Sequence, residues 1–285
     1  MLALFSLALL PGMTEPPNTA EFNPPVTYQH IVRHNPNFSM HAVTVNLDDP
    51  RVTVRVAPGG PPSEDKWVTT LLPPSEIAER EHFDIAINGD FFSAKATHDI
   101  EGRNTGFVRG KAAEPVGPAM TDGRLWNHGD GDRPYLEITA DHTAKFVAGR
   151  SGATPDAAAR EIVGGGQIIV QNGQPVVYTN KFSTARHPRT AVGLDRTGGR
   201  LTLFVVDGRQ PNLSIGMTLA ELAQEMIALG CDSALNLDGG GSTDLAWREP
   251  DTKQLKILNS PSDSKERSVA DVLGVSVQVP LPNTN

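Results

Sequence analysis

The sequence of 285 residues has a single cysteine, Cys231, so it can build neither an intrachain disulfide nor a cysteine-based zinc or iron–sulfur site. That leaves the redox compartment open. Positive charge is also in short supply. Against 33 acidic side chains stand 25 basic ones, and a formal charge of −8 disfavours docking on nucleic acid or on an anionic bilayer. The apolar run at residues 2–10, LALFSLALL, is too short to span a bilayer as a helix, so no transmembrane span is expected. There is no heptad array and no exact repeat. Turn formers are abundant: 27 glycines and 23 prolines favour many strands and loops over a helical bundle. With 38% hydrophobic and 20% charged residues the composition is that of an ordinary folded protein, long enough for one large domain or two small ones.

Residues 2–10 have the length of a signal-peptide core, but no Lys or Arg precedes them and only a weak cleavage site follows. Residues 1–25 are read as a signal segment and linker, which would place the chain outside the cytoplasm, secreted or periplasmic. A frayed start or a misplaced initiator methionine is the alternative. From Val26 the pattern is strand-like. MHAVTVNL at 40–47 and RVTVRV at 51–56 alternate with period two around an Asp-Asp-Pro turn, which predicts a hairpin within a β-rich extension over 26–82. PPSEIAEREH predicts a short helix capped by Ser75, and FDIAIN then resumes as a strand that stops at Gly89-Asp90. Residues 99–152 read as loops and short strands such as YLEIT.

LTLFVV at 201–206 suits a strand buried on both faces, ending at Asp207. The stripe Leu219, Leu222, Ala223, Met226 predicts a helix, with Thr218 and Glu221 at capping-box spacing and Gly230 as its stop. Residues 233–237 return as a strand. Strand, helix and strand in this order favour a parallel crossover that brings Asp207 and Asp238 to one sheet edge. The expected fold is α+β or mixed α/β: a twisted mixed sheet with few helices, a catalytic domain over 83–280 and the β-rich extension packed on it.

LDGGGST at 237–243 is the most informative stretch. Three consecutive glycines let backbone amides approach a ligand that a Cβ would exclude, and Ser242 and Thr243 add donors. A tight turn is the bland alternative. No Gly-Lys-Ser/Thr follows, which excludes a nucleotide P-loop, and contiguous glycines do not make a dinucleotide fingerprint. In HPRT at 187–190, Arg189 beside a proline-fixed backbone suits a phosphate or carboxylate, with a surface ion pair as the alternative. VVDGR puts Asp207 and Arg209 at a strand end, where the carboxylate can be an acid, a base or the anchor of an Asp-Gly turn. Asn88 and Asp90 in INGDFF echo Asn236 and Asp238 in NLDG, so a third polar strand end could join the first two.

In order along the chain, FDIAINGDFF, HPRTAVGLD, LFVVDGRQ, GMTLAELAQEMIALGC, ALNLDGGGSTDLAW and NSPSDSKERSVADVLGV resemble the phosphodiester glycosidase family over about two thirds of the sequence. One departure is visible: the family commonly has Asn-Gly-Gly-Phe-Phe where Asp90 stands here. The resemblance implies cleavage of a sugar from a small or polymeric phosphodiester, on a cell-envelope or exported glycan, leaving a phosphomonoester. Such a leaving group, with a second pKa near about 6, needs little acid help. It needs a carboxylate facing the anomeric carbon and fixed donors on the phosphate. On this reading Asp238 or Asp207, with Asp90, carries the chemistry. Arg189, Thr190, Arg209, Arg267 and the Gly239, Gly240, Gly241, Ser242 and Thr243 turn hold the phosphate, while Asn88 and Asn236 orient sugar hydroxyls. No cofactor is implied. The alternatives are a phosphodiesterase using a divalent cation on Asp90, Asp207 and Asp238, and a glycan-binding protein without turnover.

Overall fold

The structure is a computed structural model that describes residues 24–63, 66–98, 106–130, 132–149, 155–279, 281–282 and 284; the apolar run at 2–10 lies outside them. Strands dominate. One seven-stranded sheet is ordered Val26–Arg33, Phe38–Asn46, Arg200–Val206, Arg189–Leu194, Ser233–Asn236, Gln167–Gln171 and Gln174–Pro175. A five-stranded sheet is ordered Leu255–Ile257, Leu245–Arg248, Ile85–Asn88, Asp271–Val277 and Val52–Pro58. A second five-stranded sheet, with Ala159–Gly164 at its centre, includes Tyr135–Thr139, the strand foreseen in YLEIT, and a three-stranded sheet includes Phe92–Ala94.

The first two sheets face each other. Val43, Val45, Leu203 and Leu235 of one meet Val54, Ile85, Ile87, Trp247 and Leu273 of the other in a single apolar cluster. Each sheet is covered on its far side by a helix. Leu219–Ala228 lays Leu222, Ala223 and Met226 on Met40, Ala191 and Phe204. Pro74–Arg80 lays Ile77 and Ala78 on Ala86, Ala246 and Val272. Strands buried on both faces explain why LTLFVV and DVLGVSV carry near-continuous apolar runs.

Several expectations change. Every strand pairing among the described residues is antiparallel, so the sheets are not mixed and the molecule is far richer in strand than in helix. The strands at 200–206 and 233–236 do run in the same direction, but Arg189–Leu194 lies between them and pairs with both. Asp207 and Asp238 therefore leave the same sheet edge as expected, two strands apart. The predicted hairpin does not form: Phe38–Asn46 pairs with Val26–Arg33 and Arg200–Val206, while Val52–Pro58 pairs with Asp271–Val277. The Asp-Asp-Pro turn instead carries the chain from one sheet to the other, and the alternating valines meet across the core rather than side by side. Residues 26–82 are accordingly woven into both main sheets and are not an outer layer. The helix at 219–228 has the predicted capping box. The shorter helix begins at Pro74 without a side-chain cap of its own, because Ser75 turns to Glu266, whose carboxylate accepts from its amide at 2.9 Å and its hydroxyl at 2.6 Å.

Candidate active site

Antiparallel pairing brings the polar ends of distant strands to one rim. Asn88 ends its strand opposite Val272, Asn236 ends opposite Ala191, and Arg189 starts opposite Val206. The 237–243 bend is fastened to this rim from below. Leu237 donates to the Thr190 carbonyl at 2.9 Å, Gly240 to the Pro188 carbonyl at 2.9 Å, and Asp238 to the Gly89 carbonyl at 3.1 Å. Asn88, wholly buried, donates to the Asp238 carbonyl at 2.7 Å and accepts from the Thr190 hydroxyl at 2.7 Å and the Asp244 amide at 3.3 Å. Asn88 and Thr190 thus staple the bend to the sheet, a different task from holding a sugar hydroxyl or a phosphate. Asn236 is also fully buried, its Nδ2 3.4 Å from Gln167 Oε1 and its Oδ1 without a partner among the described residues.

Two of the three glycine amides expected to face a ligand are already taken. The Gly239 amide donates to Asp238 Oδ1 at 2.8 Å, that of Gly240 is taken by Pro188, and that of Ser242 reaches the Gly239 carbonyl at 3.3 Å. What the missing side chains admit is two guanidinium groups. A Cβ on Gly240 would stand 2.9 Å from Arg209 Nη2, and one on Gly241 would stand 2.0 Å from Arg267 Nη2. Arg209 is exposed and pairs with no carboxylate among the described residues, whereas Arg267 is held by Asp263 at 2.7 Å and lies over the Phe107 ring. Asp238 is half-buried, and the charges of both guanidinium groups act on its carboxyl. Loss of water around it pushes its pKa up to about 6, against the pull of the Ser242 hydroxyl, the Gly239 amide, Arg267 and Arg209.

Arg189 is not part of this clamp. It is 1% exposed, its Nε donates to the Met217 carbonyl and its Nη2 to the carbonyls of Phe182 and Ala185, and its guanidinium lies 4.4 Å from the Phe182 ring centre. Burial, and then the charge of Arg209, lower its pKa to about 10. Asp207 turns away as well. Its Oδ1 accepts from Asn259 at 3.2 Å and from the Ser260 amide at 2.8 Å, and its Oδ2 is 4.0 Å from His41 Nε2. Asn259 also donates to the Thr243 carbonyl at 2.9 Å and accepts from the Leu245 amide at 2.8 Å, so Asp207 anchors the far end of the bend. Thr243 itself is 1% exposed.

Asp90 lies at the site but beneath it, 1% exposed, and the charge of Asp238 acts upon it. Sequence reasoning missed two of its neighbours: Arg133, whose guanidinium lies 5.8 Å from the Phe91 ring centre, and Asp271, fully buried, whose Oδ1 accepts from the Asp90 amide at 2.9 Å. Asp271 opens an apolar strand just as Asp238 follows one, and an acid at such a boundary was the available signal. Asp244, an acid that flanks the glycine turn in the sequence, lies under the bend's far end, its amide donating to Asn88 Oδ1 at 3.3 Å. It is wholly buried, and burial followed by the charge of Glu266 drives its carboxyl up to about 9. Among the described residues no group of three or more His, Cys, Asp or Glu is disposed to hold a metal ion. A cavity of about 590 Å³ lined by Pro58, Val68, Arg124 and Trp126 shares no residue with this site.

A partly buried, ionisable Asp238 on whose carboxyl the charges of Arg267 and Arg209 act equips a protein to attack an electrophilic carbon beside a bound oxyanion. Residues 82–276 match the family model of the phosphodiester glycosidases, and the chain belongs to that family. It is similar to the mouse N-acetylglucosamine-1-phosphodiester alpha-N-acetylglucosaminidase, 29% identical over 160 residues that make up 49% of this chain and 30% of that protein. The SPbeta prophage-derived uncharacterized protein YomE of Bacillus subtilis (strain 168) is 38% identical over 91 residues, 32% of this chain and 13% of that one. The match thus spans less than a third of either relative's length. Among solved structures, the zebrafish N-acetylglucosamine-1-phosphodiester alpha-N-acetylglucosaminidase catalytic domain, auto-inhibited by its pro-peptide, superposes with a TM-score of 0.66 at 21% identity, over 90% of this chain and 85% of that one. A hypothetical protein from Synechocystis superposes at 0.58 and 16% identity, over 89% and 62%. These likenesses show a shared fold. No helix among the described residues is long and apolar enough to cross a membrane.

Proposed function

We propose that this protein hydrolyses the bond between the anomeric carbon of a sugar and the phosphate oxygen of a phosphodiester, releasing the free sugar and a phosphomonoester. The observation that carries the reading is the half-buried Asp238, on whose carboxyl the charges of Arg209 and Arg267 act, each guanidinium seated on a glycine. Asp238 faces the anomeric carbon as nucleophile or as base for water. The two guanidinium groups take the negative charge that gathers on the phosphate oxygen as the C–O bond breaks. Water supplies the hydroxyl that ends on the sugar, and its second proton goes to the phosphate. Arg189, Asn88, Thr190 and Asp207 support this arrangement through the contacts described above rather than by touching substrate. The family match and the mouse relative's printed activity support the same reaction class.

The substrate class rests on charge: Arg267 is already matched by Asp263, so Arg209, which pairs with no carboxylate among the described residues, is the cation left to meet one anionic diester. A glycan or glycolipid outside the cytoplasm is the proposed source, in keeping with the apolar run at residues 2–10. The phosphodiesterase reading is less well supported, because Asp207 points to His41 and Asn259 while Asp90 and Asp238 lie together at the other side of the bend. Hydrolysis of a panel of sugar phosphodiesters in ¹⁸O-water, with and without chelator, tests the proposal. Label in the released sugar is the expected result. Label in the phosphate means P–O cleavage and overturns it.

A further inference from the structure

The cavity of about 590 Å³ beside Trp126 has no part in the proposed reaction, yet it has the size of a small-molecule site, roughly 300–1,000 Å³. The strands Val52–Pro58 and Arg124–Asn127 supply two of its walls. Trp126 is half-buried with its polar edge spent: Nε1 donates to the Thr121 hydroxyl at 3.0 Å, which donates in turn to the Val56 carbonyl at 2.6 Å. The indole is thereby held in place, and what it offers the cavity is apolar ring surface, extended by Pro58 and Val68.

The charge around that ring is positive, three arginines against two acids in a chain of net charge −8. Two of the arginines are already matched. Arg55 pairs with Asp122 at 3.0 Å and with Glu81 at 3.5 Å. Arg80 pairs with Glu81 at 2.8 Å and donates to the carbonyls of Pro58 and Gly59. Arg124 is exposed and has neither an ion pair nor a side-chain hydrogen bond among the described residues. A ligand that suits this place has an apolar face for the indole, hydroxyls for the carboxylates of Asp122 and Glu81, and one negative charge for Arg124. A pyranose that carries a phosphate has all three: C–H groups on its face, hydroxyls at its edge and an anion.

The cavity is also close to the site. Ala57, Val272 and Asn88 stand in one row across three neighbouring strands, so the strand end at Pro58 lies two strand spacings, about 10 Å, from the one at Asn88. Asn88 in turn holds the Asp238 carbonyl. On the opposite wall, Asn127 follows Trp126 and donates to the Gly117 carbonyl at 2.7 Å, while the Gly117 amide donates to Asp90 Oδ2 at 2.5 Å. Consecutive units of one sugar phosphate polymer can bridge such a distance. We propose that the Trp126 cavity is a second glycan site, which holds a phosphate-bearing sugar of a polymeric substrate through Trp126 and Arg124 while another unit of the same polymer lies at Asp238. The polymer rests on the proposed function; the binding of a sugar phosphate at Trp126 does not.

The test follows the Trp126 indole N–H signal of the full chain by NMR, identified as the one that Trp126→Phe removes, while methyl α-glucopyranoside 6-phosphate is added. That probe has no anomeric phosphate bond, so the proposed reaction cannot consume it. The signal should shift saturably with a Kd on the order of 1 mM. Arg124→Gln should weaken this binding about tenfold, and uncharged methyl α-glucopyranoside or inorganic phosphate alone should bind more weakly by about the same factor. Arg209→Ala should leave the Trp126 titration as in wild type. On a polymeric sugar phosphodiester Arg124→Gln should raise KM about tenfold, with kinetics on a monomeric diester unchanged. A Trp126 signal that does not move, equal binding of either control, or an unchanged KM for the polymer overturns the inference. If no sugar phosphodiester is hydrolysed while the probe still binds at Trp126, the proposed function fails and the sugar phosphate site stands.

Discussion

The guanidinium of Arg209 lies directly over Gly240, and both residues adopt a left-handed backbone, with φ of 59° and 66°. For the arginine this conformation costs on the order of 1 kcal/mol. It is held by its neighbours: Gln210 Nε2 donates to the Ser260 carbonyl at 2.8 Å, and the Ser260 amide donates to Asp207 at 2.8 Å. Gly240→Ala should therefore strain the bend and push the guanidinium aside. A drop of about 10–100-fold in kcat/KM on a sugar phosphodiester, with an unchanged circular dichroism spectrum, is the expected outcome. Wild-type kinetics in this variant would mean that Arg209 does not work from its seat on Gly240.

Arg209→Lys keeps the charge but gives up the planar fork. KM should rise about tenfold while kcat changes less, because a lysine holds the diester as a point charge in ground state and transition state alike. Asp238→Asn should differ in kind and lower kcat by about a thousandfold or more, with binding retained. Steady-state kinetics on the two variants separates the roles.

Stability should fall as the medium becomes alkaline. Asp90 at about 7, Asp244 at about 9 and Glu161 at about 7 all lie above their ordinary values of 3.8, 3.8 and 4.5, chiefly through burial. In the folded state these groups keep protons that the unfolded chain has released. Their contribution is complete below about pH 4 and is lost as pH rises through these values. His41 acts in the opposite sense. Burial and the charge of His30 lower its pKa from 6.5 to about 3, so stability is lost as pH falls between those values. His187 is lowered too, by burial and the charges of Arg189 and Arg209, but with several buried acids against two histidines the melting temperature should be higher at pH 5 than at pH 8. Asp244→Asn should raise it at pH 8 and change it less at pH 5, as calorimetry can show. A lower melting temperature for the variant at pH 8 would contradict the buried acid.

Glu266 caps a helix that lies 191 residues away in the sequence. Glu266→Ala leaves the Ser75 amide and hydroxyl without their acceptor, and should cost about 1 kcal/mol in urea denaturation. Ser75→Ala, which keeps the amide bond, should cost less.

The local sequence made several elements legible. The capping box at Thr218 and Glu221, the stop at Gly230 and the apolar run at 201–206 state their conformations within a few residues, because caps and periodicity are short-range physics. The pairing partners were not legible. The valines at 43, 45, 52, 54 and 56 alternate equally well for a hairpin and for two sheets facing each other, and nothing nearby in the chain chooses between them.

The site divides in the same way. The sequence by itself determined that an acid, three glycines and a set of arginines would occur near strand ends, and through the order of its motifs it determined the family. Only the tertiary structure decided which arginines face Asp238. Arg189 and Arg209 look alike as residues beside strand ends, yet one is spent on three backbone carbonyls and the other lies over Gly240 with no carboxylate partner among the described residues. The same holds for the acids, since Asp207 meets Asn259 while Asp271, in the last of the quoted motifs, meets Asp90. The reason is physical: a side chain's charge and hydrogen-bonding capacity are properties of its residue type, but which partners consume them depends on packing between segments far apart in the chain.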